Sequence, residues 1–337
     1  MCSLIAREKS VFKIVTKTKN EAFFIERWIQ HHLPMVGDSR IVIFDNMSSD
    51  KHVINIYKKY RKNILLIHFD GFMDRIHMAE FCMPIYEALS NSAEFFTIID
   101  SDEYLYLYNG DGVVHDNFVT SFLRENADAN FFPTCWMDNI HADARLFRFN
   151  PQNARTFHLG KPIVNARIIH EIGKYSHSLL HHTKDLPLSA YGRAPTCFLL
   201  LHLKNLDRHQ RIRANMEKLA AFKIIRHCGD FEGLLRLDAD ALQVLGHLRD
   251  YIDETKKLVK NASCRRAGQN TGAAPGGTLE LLEGGALRFM PQELEGEFKR
   301  RLGAASDYFD LIACRPDVSE FDRFTTIQNW LVSTGRY

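Results

Sequence analysis

No stretch of this sequence approaches the roughly 18 consecutive apolar residues of a membrane span, and its start, Met1 to Phe12, is charged as well as apolar. Neither a transmembrane anchor nor a signal peptide is expected. Paired cysteines are missing too. Cys2, Cys82, Cys135, Cys197, Cys228, Cys264 and Cys314 are widely spaced, with no C-x-x-C among them. That spacing argues against a zinc knuckle and a disulfide framework, and for a reducing compartment. Nor is there an excess of one charge: 43 Lys+Arg stand against 41 Asp+Glu, a formal balance of +2. A chain so balanced has no long-range field for gripping a polyanion, so nucleic acid is not the expected partner. The expectation is a cytoplasmic protein.

What remains is ordinary globular composition, 45% hydrophobic and 25% charged over 337 residues, enough for a large core in one large domain with an appendage or in two domains. Strand-like and helical patterns alternate. Phe12 to Thr16 is rich in branched residues, and Asn20 is placed to cap a helix in which Ala22, Ile25, Ile29 and Leu33 recur at helical spacing beside Trp28. Pro34 and Gly37 end it. Ile41 to Phe44, Ile64 to Phe69 and Phe95 to Ile99 repeat the strand pattern, with helices from Asp50, a predicted N-cap, to Tyr60 and from about Ile76 to Leu89. Runs that are apolar on successive residues fit strands covered on both faces, and alternation with helices implies parallel crossovers. The predicted fold class is α/β, an open, mostly parallel sheet flanked by helices, with ligands at the carboxyl ends of its strands.

Later segments are less regular. Strands are expected at Ile163 to Ile169 and Cys197 to Leu203, and helices at Asp207 to Cys228, within Asp238 to Val259 and at Gln292 to Tyr308. The glycine-rich stretch 267–285 reads as a linker. This divides the chain into a ligand-binding domain, residues 1–205, and a mainly helical C-terminal region, residues 206–337.

The sharpest local signal is Asp100-Ser101-Asp102-Glu103 at the end of the fourth strand. Two carboxylates at i and i+2 can face one pocket and suit Mg²⁺ or Mn²⁺, although a plain turn explains the same residues. Its context adds two further motifs. The tract Asn20-Glu21-Ala22 through Trp28 to His31-His32, then Asp45-Asn46-Met47-Ser48-Ser49-Asp50, then Asp100-Ser101-Asp102-Glu103-Tyr104-Leu105 resembles glycosyltransferases of the GT-A fold, within them the group related to families 2 and 92. The resemblance covers residues 14 to 106 and departs from the pattern at Arg27.

It implies a GT-A fold and a metal-dependent, inverting transfer of a sugar from a nucleotide-sugar donor, UDP-linked by expectation, to a glycan or glycolipid acceptor in bacterial surface polysaccharide synthesis. Thr16 and Lys17 would meet the nucleotide with Glu21 nearby, and Asp45 would contact base or ribose. Asp100 would serve ribose and metal, and Asp102 would bind the Mn²⁺ or Mg²⁺ directly. A later histidine completes the metal site in such enzymes, and His202, after the apolar run Leu199 to Leu201, is the counterpart; a core histidine is the plainer reading. Structural alternatives are helix capping for Asn20 and Glu21, helix packing or surface for Trp28, His31 and His32, and an Asx turn for Asp45.

Other site residues are weaker expectations. Arg75, Lys161 and Arg167 are candidates for the pyrophosphate. Asp138 is the candidate general base, because Trp136 beside it offers an apolar plate and partial burial there would raise its pKa; a cap or surface turn competes. Asp143 and Glu171 are second choices, and His170, His177, His181 and His182 read as surface rather than acceptor loop. A nucleotidyltransferase or phosphoesterase also uses paired carboxylates, but the turn Thr16 to Glu21 lacks the glycines of a nucleotidyltransferase loop. A non-catalytic nucleotide-sugar or carbohydrate-binding protein is the other alternative. The basic run Arg208 to Arg213 suggests peripheral contact with anionic lipid at the inner face of a membrane, against the plainer reading of a solvated helix face.

Overall fold

The computed structural model describes residues 9–70, 76, 79–132, 134–140, 145–149, 160–175, 179–181, 197–238, 247–260 and 277–303. β1 (Ser10–Thr18) is the central strand, and its two faces enter different cores. Phe12 and Ile14 join one apolar cluster while Val15 joins the other, as the two-residue period of a doubly covered strand requires. α1 (Ile25–His32), β2 (Ile41–Asp45), α2 (Lys51–Lys59), β3 (Ile64–His68), α3 (Ala79–Ser90) and β4 (Ala93–Ile98) follow. The strands β3-β2-β1-β4 are mutually parallel. The chain winds outward from β1 to β3 and then returns to β1's other edge, so the crevice between β1 and β4 is a topological switch point. This is the open α/β sheet expected from the sequence.

After β4 the chain leaves this sheet. β5 (Glu103–Tyr108), β6 (Val113–Val114), α4 (Phe118–Glu125), β7 (Phe131–Phe132), β8 (Thr134–Asp138), β9 (Leu146–Phe149), β10 (Ile163–Asn165), β11 (Ile172–Tyr175), β12 (Leu179–His181) and β13 (Cys197–His202) come next. β10 and β7 extend the first sheet antiparallel, and β6-β5-β13-β8 form a second one. The segment Asp100 to Asp102 is thus the bridge between two sheets.

Two expectations need correction. The strand predicted over Ile163 to Ile169 stops at Asn165, and Ala166–Glu171 turn as a 3-10 helix. The Asn165 amide causes this, donating to the carbonyls of Ala127 and Ala129 and accepting from Arg167 N, a local alternative to ladder bonds. Part of the predicted linker is a strand. After α5 (Arg208–Ala221), α6 (Phe231–Arg236) and α7 (His247–Lys260), β14 (Gly277–Leu281) pairs with both β9 and β15 (Leu287–Met290), and α8 (Leu294–Gly303) follows. Residues 267–276 of the predicted linker lie outside the described residues. Leu279, Phe289 and Phe298 belong to the main core, whereas Met216, Leu219, Ile225, Leu234, Leu248 and Ile252 make a separate core for α5 to α7.

Candidate active site

Strand register assembles the site. His202, the last residue of β13, stands opposite Glu103, the first of antiparallel β5, and opposite Asp138, the last of parallel β8. The chain is tied further at this row by Leu203 N donating to Asp102 O and Asn139 N donating to His202 O. Buried Asn139 then clasps Asn205, its Oδ1 accepting from Asn205 N at 2.8 Å and its Nδ2 donating to Asn205 O at 2.9 Å. That clasp delivers the chain to Asp207, whose carboxylate caps α5 in a capping box with Gln210.

His202 lies between two carboxylates. Its Nε2 is 3.5 Å from Asp102 Oδ2, and its Nδ1 is 3.4 Å from Asp138 Oδ1. Burial works against the imidazolium, but Asp102 and then Asp138 outweigh it and raise the His202 pKa to about 9. Burial likewise works against the Asp102 carboxylate, yet the His202 and Lys218 cations hold it well below the usual range. Asp138 corrects the expectation that burial would raise it. Burial does push it up, but His202, Lys204 at 2.5 Å and Trp136 Nε1 at 2.8 Å stabilise the anion more, and its pKa falls to about 2. Trp136 packs edge-on against His202, at 4.6 Å between ring centres, so the pair is held from two sides.

Asp100 has a different cation. Lys161, only 2% exposed, contacts Asp100 Oδ2 and donates to Glu103 Oε2 at 3.0 Å, and Glu103 Oε2 also accepts Asp100 N at 2.7 Å. Burial would neutralise this lysine, but the two carboxylates raise its pKa. Lys161 is therefore the internal counter-ion of the acidic turn and is not open to a pyrophosphate. Arg167 is occupied elsewhere, on Asn130 Oδ1 and the Asp128 carbonyl. Arg75 and Asp143 lie outside the described residues, as do His177 and His182; the side chains of His170, Glu171 and His181 do so as well.

At the rim of β1 and β2, Asp45 is fully buried and organises its own loop. It accepts from Ser48 N at 2.9 Å and Tyr57 OH at 3.2 Å, and faces His68 Nδ1 at 3.0 Å. The Asx-turn reading describes it, and Asp50 caps α2 as predicted. Asn20 does not cap α1. Its backbone lies in the left-handed region, and its Oδ1 accepts Ser49 N at 2.8 Å and Asp50 N at 2.9 Å, joining the two rim loops. Glu21 does not cap it either; it holds the turn that leads into α1, accepting Phe23 N and Phe24 N, and the N-cap residue Phe24 has no side-chain cap bond. Its carboxyl is pushed up to about 7, by burial first and then by the Glu217 and Asp102 carboxylates. Thr16 is buried inside β1, its Oγ1 without a hydrogen-bond partner among the described residues, and Lys17 follows it toward the rim.

The histidine pair of α1 braces the site from behind. His31 Nε2 donates to Leu105 O at 2.7 Å, while His32 Nε2 accepts Leu105 N at 3.1 Å, its Nδ1 proton being committed to Trp28 O at 2.8 Å. Both main-chain groups of one β5 residue are thus satisfied where β6 does not reach, because β6 pairs only with Leu107 and Tyr108. Burial holds His31 well below its ordinary pKa and His32 at about 3, so both stay neutral.

Sequence reasoning missed Lys218. It sits on the third turn of α5 with its ammonium 4.0 Å from Asp102 Oδ2 and 5.0 Å from the centre of the Tyr251 ring. The basic run at the start of that helix offers less than expected to a lipid surface. Arg208 donates to Leu258 O, Arg211 faces Glu254 at 3.4 Å and Arg213 pairs with Glu217 at 2.8 Å.

Among the described residues no three His, Cys, Asp or Glu side chains gather closely enough to enclose an ion alone. The pair Asp102 and His202 could nevertheless hold a divalent cation completed by substrate, the imidazole giving up its proton to the solvent as the cation replaces it between the two side chains. The 3.5 Å between Nε2 and Oδ2 is long for a charge-assisted hydrogen bond and suits two ligands of one ion. Asp138 Oδ1 stands 3.4 Å from Nδ1, an ion-pair contact longer than a hydrogen bond, on the side of the ring away from Asp102.

No protein-family model matches the chain, and a comparison with curated protein sequences finds no match. Among solved structures it is similar to residues 1–349 of S. aureus TarS in complex with UDP-GlcNAc, at 16% identity over 97% of this chain and 93% of that one, with a TM-score of 0.34. GalNAc-T7 with UDP, GalNAc and Mn²⁺ is 10% identical over 76% of this chain and 57% of that one, with a TM-score of 0.36. Glucosyl-3-phosphoglycerate synthase from Mycobacterium tuberculosis, with Mn²⁺, UDP and glucosyl-3-phosphoglycerate, is 13% identical over 51% and 63%, with a TM-score of 0.29. At such values the chain's own residues carry the functional conclusion.

Proposed function

We propose that the protein is a metal-dependent glycosyltransferase that takes its sugar from a UDP-linked donor and passes it, with inversion, to a glycan or glycolipid acceptor. The observation that carries the reading is the pairing of Asp102 with His202 at 3.5 Å, beside the switch point of a parallel sheet. A divalent ion bound there, completed by water and substrate phosphate, would screen the charge that develops on a departing nucleoside diphosphate. Asp102 and His202 would hold it. Asp138 is engaged by Lys204 at 2.5 Å and Trp136 Nε1 at 2.8 Å and stands 3.4 Å from His202 Nδ1, so the role assigned to it is positioning rather than general base. Lys161 fixes the turn that presents Asp102. Lys17, Glu21 and the loop organised by Asp45 form the nucleotide side of the crevice.

The test is a thermal-shift series with UDP- and GDP-sugars, with and without Mn²⁺, on wild type and Asp102→Ala. Wild type should be stabilised by a donor only when metal is present, because a ligand that binds the folded state alone raises its stability, and the variant should lose that response. Product analysis separates the alternatives. Release of nucleoside diphosphate supports transfer, pyrophosphate indicates a nucleotidyltransferase, and donor binding without product indicates a binding protein. A metal-dependent shift that persists in Asp102→Ala removes the metal assignment.

A further inference from the structure

The acidic turn needs positive charge before it can admit a diphosphate, since Asp100, Asp102 and Glu21 all bear on the same small region. Most nearby cations are already committed. Lys161 is sealed beneath Asp100 and Glu103, Lys204 is bound to Asp138 at 2.5 Å, and Arg167 points to Asn130. Lys218 differs from them. Its side chain is 40% exposed, its nitrogen is 4.0 Å from the same Asp102 Oδ2 that faces His202, and no hydrogen bond to it is made among the described residues. An ammonium has three donors, and at 4.0 Å none is engaged as a full charge-assisted bond, which requires about 2.7–2.9 Å.

The lysine is also aimed. Tyr251 of α7 lies under the ammonium at 5.0 Å, within the range of a cation–π contact, and so restrains a side chain that is otherwise long and flexible. Both residues belong to the unit of α5 to α7, which has its own apolar core from Met216, Leu219, Leu248 and Ile252. The rigid backing of Lys218 therefore comes from a different core than the one that positions Asp102 and His202.

We propose that Lys218 is a diphosphate-binding residue, by which the C-terminal helical unit donates hydrogen bonds to a phosphate oxygen of the bound nucleoside diphosphate beside the Asp102–His202 pair. The inference rests on the donor reading above and deepens it. Lys218 reads the phosphates and not the base or the sugar. Tyr251 positions it without touching the ligand.

The experiment is calorimetric titration of UDP in the presence of Mn²⁺, with uridine binding followed in parallel by ligand-observed NMR, on wild type, Lys218→Met, Lys218→Arg and Tyr251→Leu. Loss of one charge-assisted bond to phosphate should weaken UDP about tenfold in Lys218→Met and leave uridine unchanged. Lys218→Arg should restore most of the UDP affinity, and Tyr251→Leu should lose part of it. Lys218→Met binding UDP as tightly as wild type, or losing uridine in proportion, overturns the assignment. Should Lys218→Met fail to fold, as judged by near-UV circular dichroism, Lys218→Gln replaces it under the same criteria. Wild type that binds no UDP at all overturns the UDP-donor reading and this inference together, whereas wild-type binding with an indifferent Lys218→Met overturns only this one.

Discussion

At the scale of single residues, opposing terms decide the charge state of the site. Asp138 and Glu21 are both half-buried carboxyls, yet one falls to about 2 and the other rises to about 7. Asp138 has Lys204 and His202 as cationic neighbours, whereas Glu21 faces two further carboxylates and only two main-chain N–H groups help it. A consequence can be measured. The folded-state pKa of Glu21 lies above its ordinary value of 4.5, so the stability tied to its neutral form is complete below about pH 4.5 and is lost as pH rises through about 7. Glu21→Gln keeps an oxygen for Phe23 N and Phe24 N and removes the charge. Its melting temperature should exceed that of wild type at pH 8 and match it at pH 4.5. Equal melting temperatures at both pH values would show that Glu21 is not under electrostatic load. The sign of such shifts was not legible in the sequence, because nearness to Trp136 reveals burial at Asp138 but not the lysine that answers it.

At the scale of elements, α1 substitutes for a strand. β5 has β13 on one edge for its whole length but β6 only at its far end, and the two histidines close the gap at Leu105. This gives the adjacent histidines of the helix a structural role. His32→Phe preserves shape but leaves the buried Leu105 N–H without an acceptor, a loss of about 1–3 kcal/mol. Urea unfolding should show that loss, and donor binding should weaken as well, since Leu105 lies three residues from Asp102. A variant as stable as wild type would mean that water or another group serves Leu105. The helix pattern itself was readable from Ile25, Trp28 and Ile29, all of them buried. What misled was Asn20: its residue type fits a cap, but its left-handed backbone turns the amide toward Ser49 and Asp50. Local composition cannot tell a cap from a tie between loops, because both use the same acceptor oxygen.

At the scale of the whole molecule, the chain returns to its first core after building a second one. β14 lies between β9 and β15, so residues 277–303 are bound to a strand some 130 positions earlier, while α5 to α7 keep a core of their own. Gly277 makes that return feasible. A Cβ there would come 1.8 Å from Leu294 Cδ1 and 2.6 Å from Met290 O, and the second of these is backbone that cannot swing aside. Gly277→Ala should therefore lower the melting temperature of the main core measurably. Gly296→Ala, where a Cβ would meet nothing within 4 Å, is the control expected to have little effect or to stabilise its helix. If Gly277→Ala melts like wild type, the β9-β14 pairing is not part of the cooperative core. Glycine richness suggested a linker here because flexible linkers and tightly packed strand crossings use the same residue for opposite reasons, freedom in one and absence of a side chain in the other.

The alternation of apolar runs with helical periods determined the parallel sheet by itself, since a strand buried on both faces has few other ways to hide consecutive branched residues. It also determined where the acidic turn lies, because Asp100 to Glu103 follow directly on such a run. Only the tertiary structure decided which charges answer those acids. Lys161, His202 and Lys218 reach the turn from three distant stretches of chain, and their approach depends on strand register and helix packing, which no short window of sequence encodes.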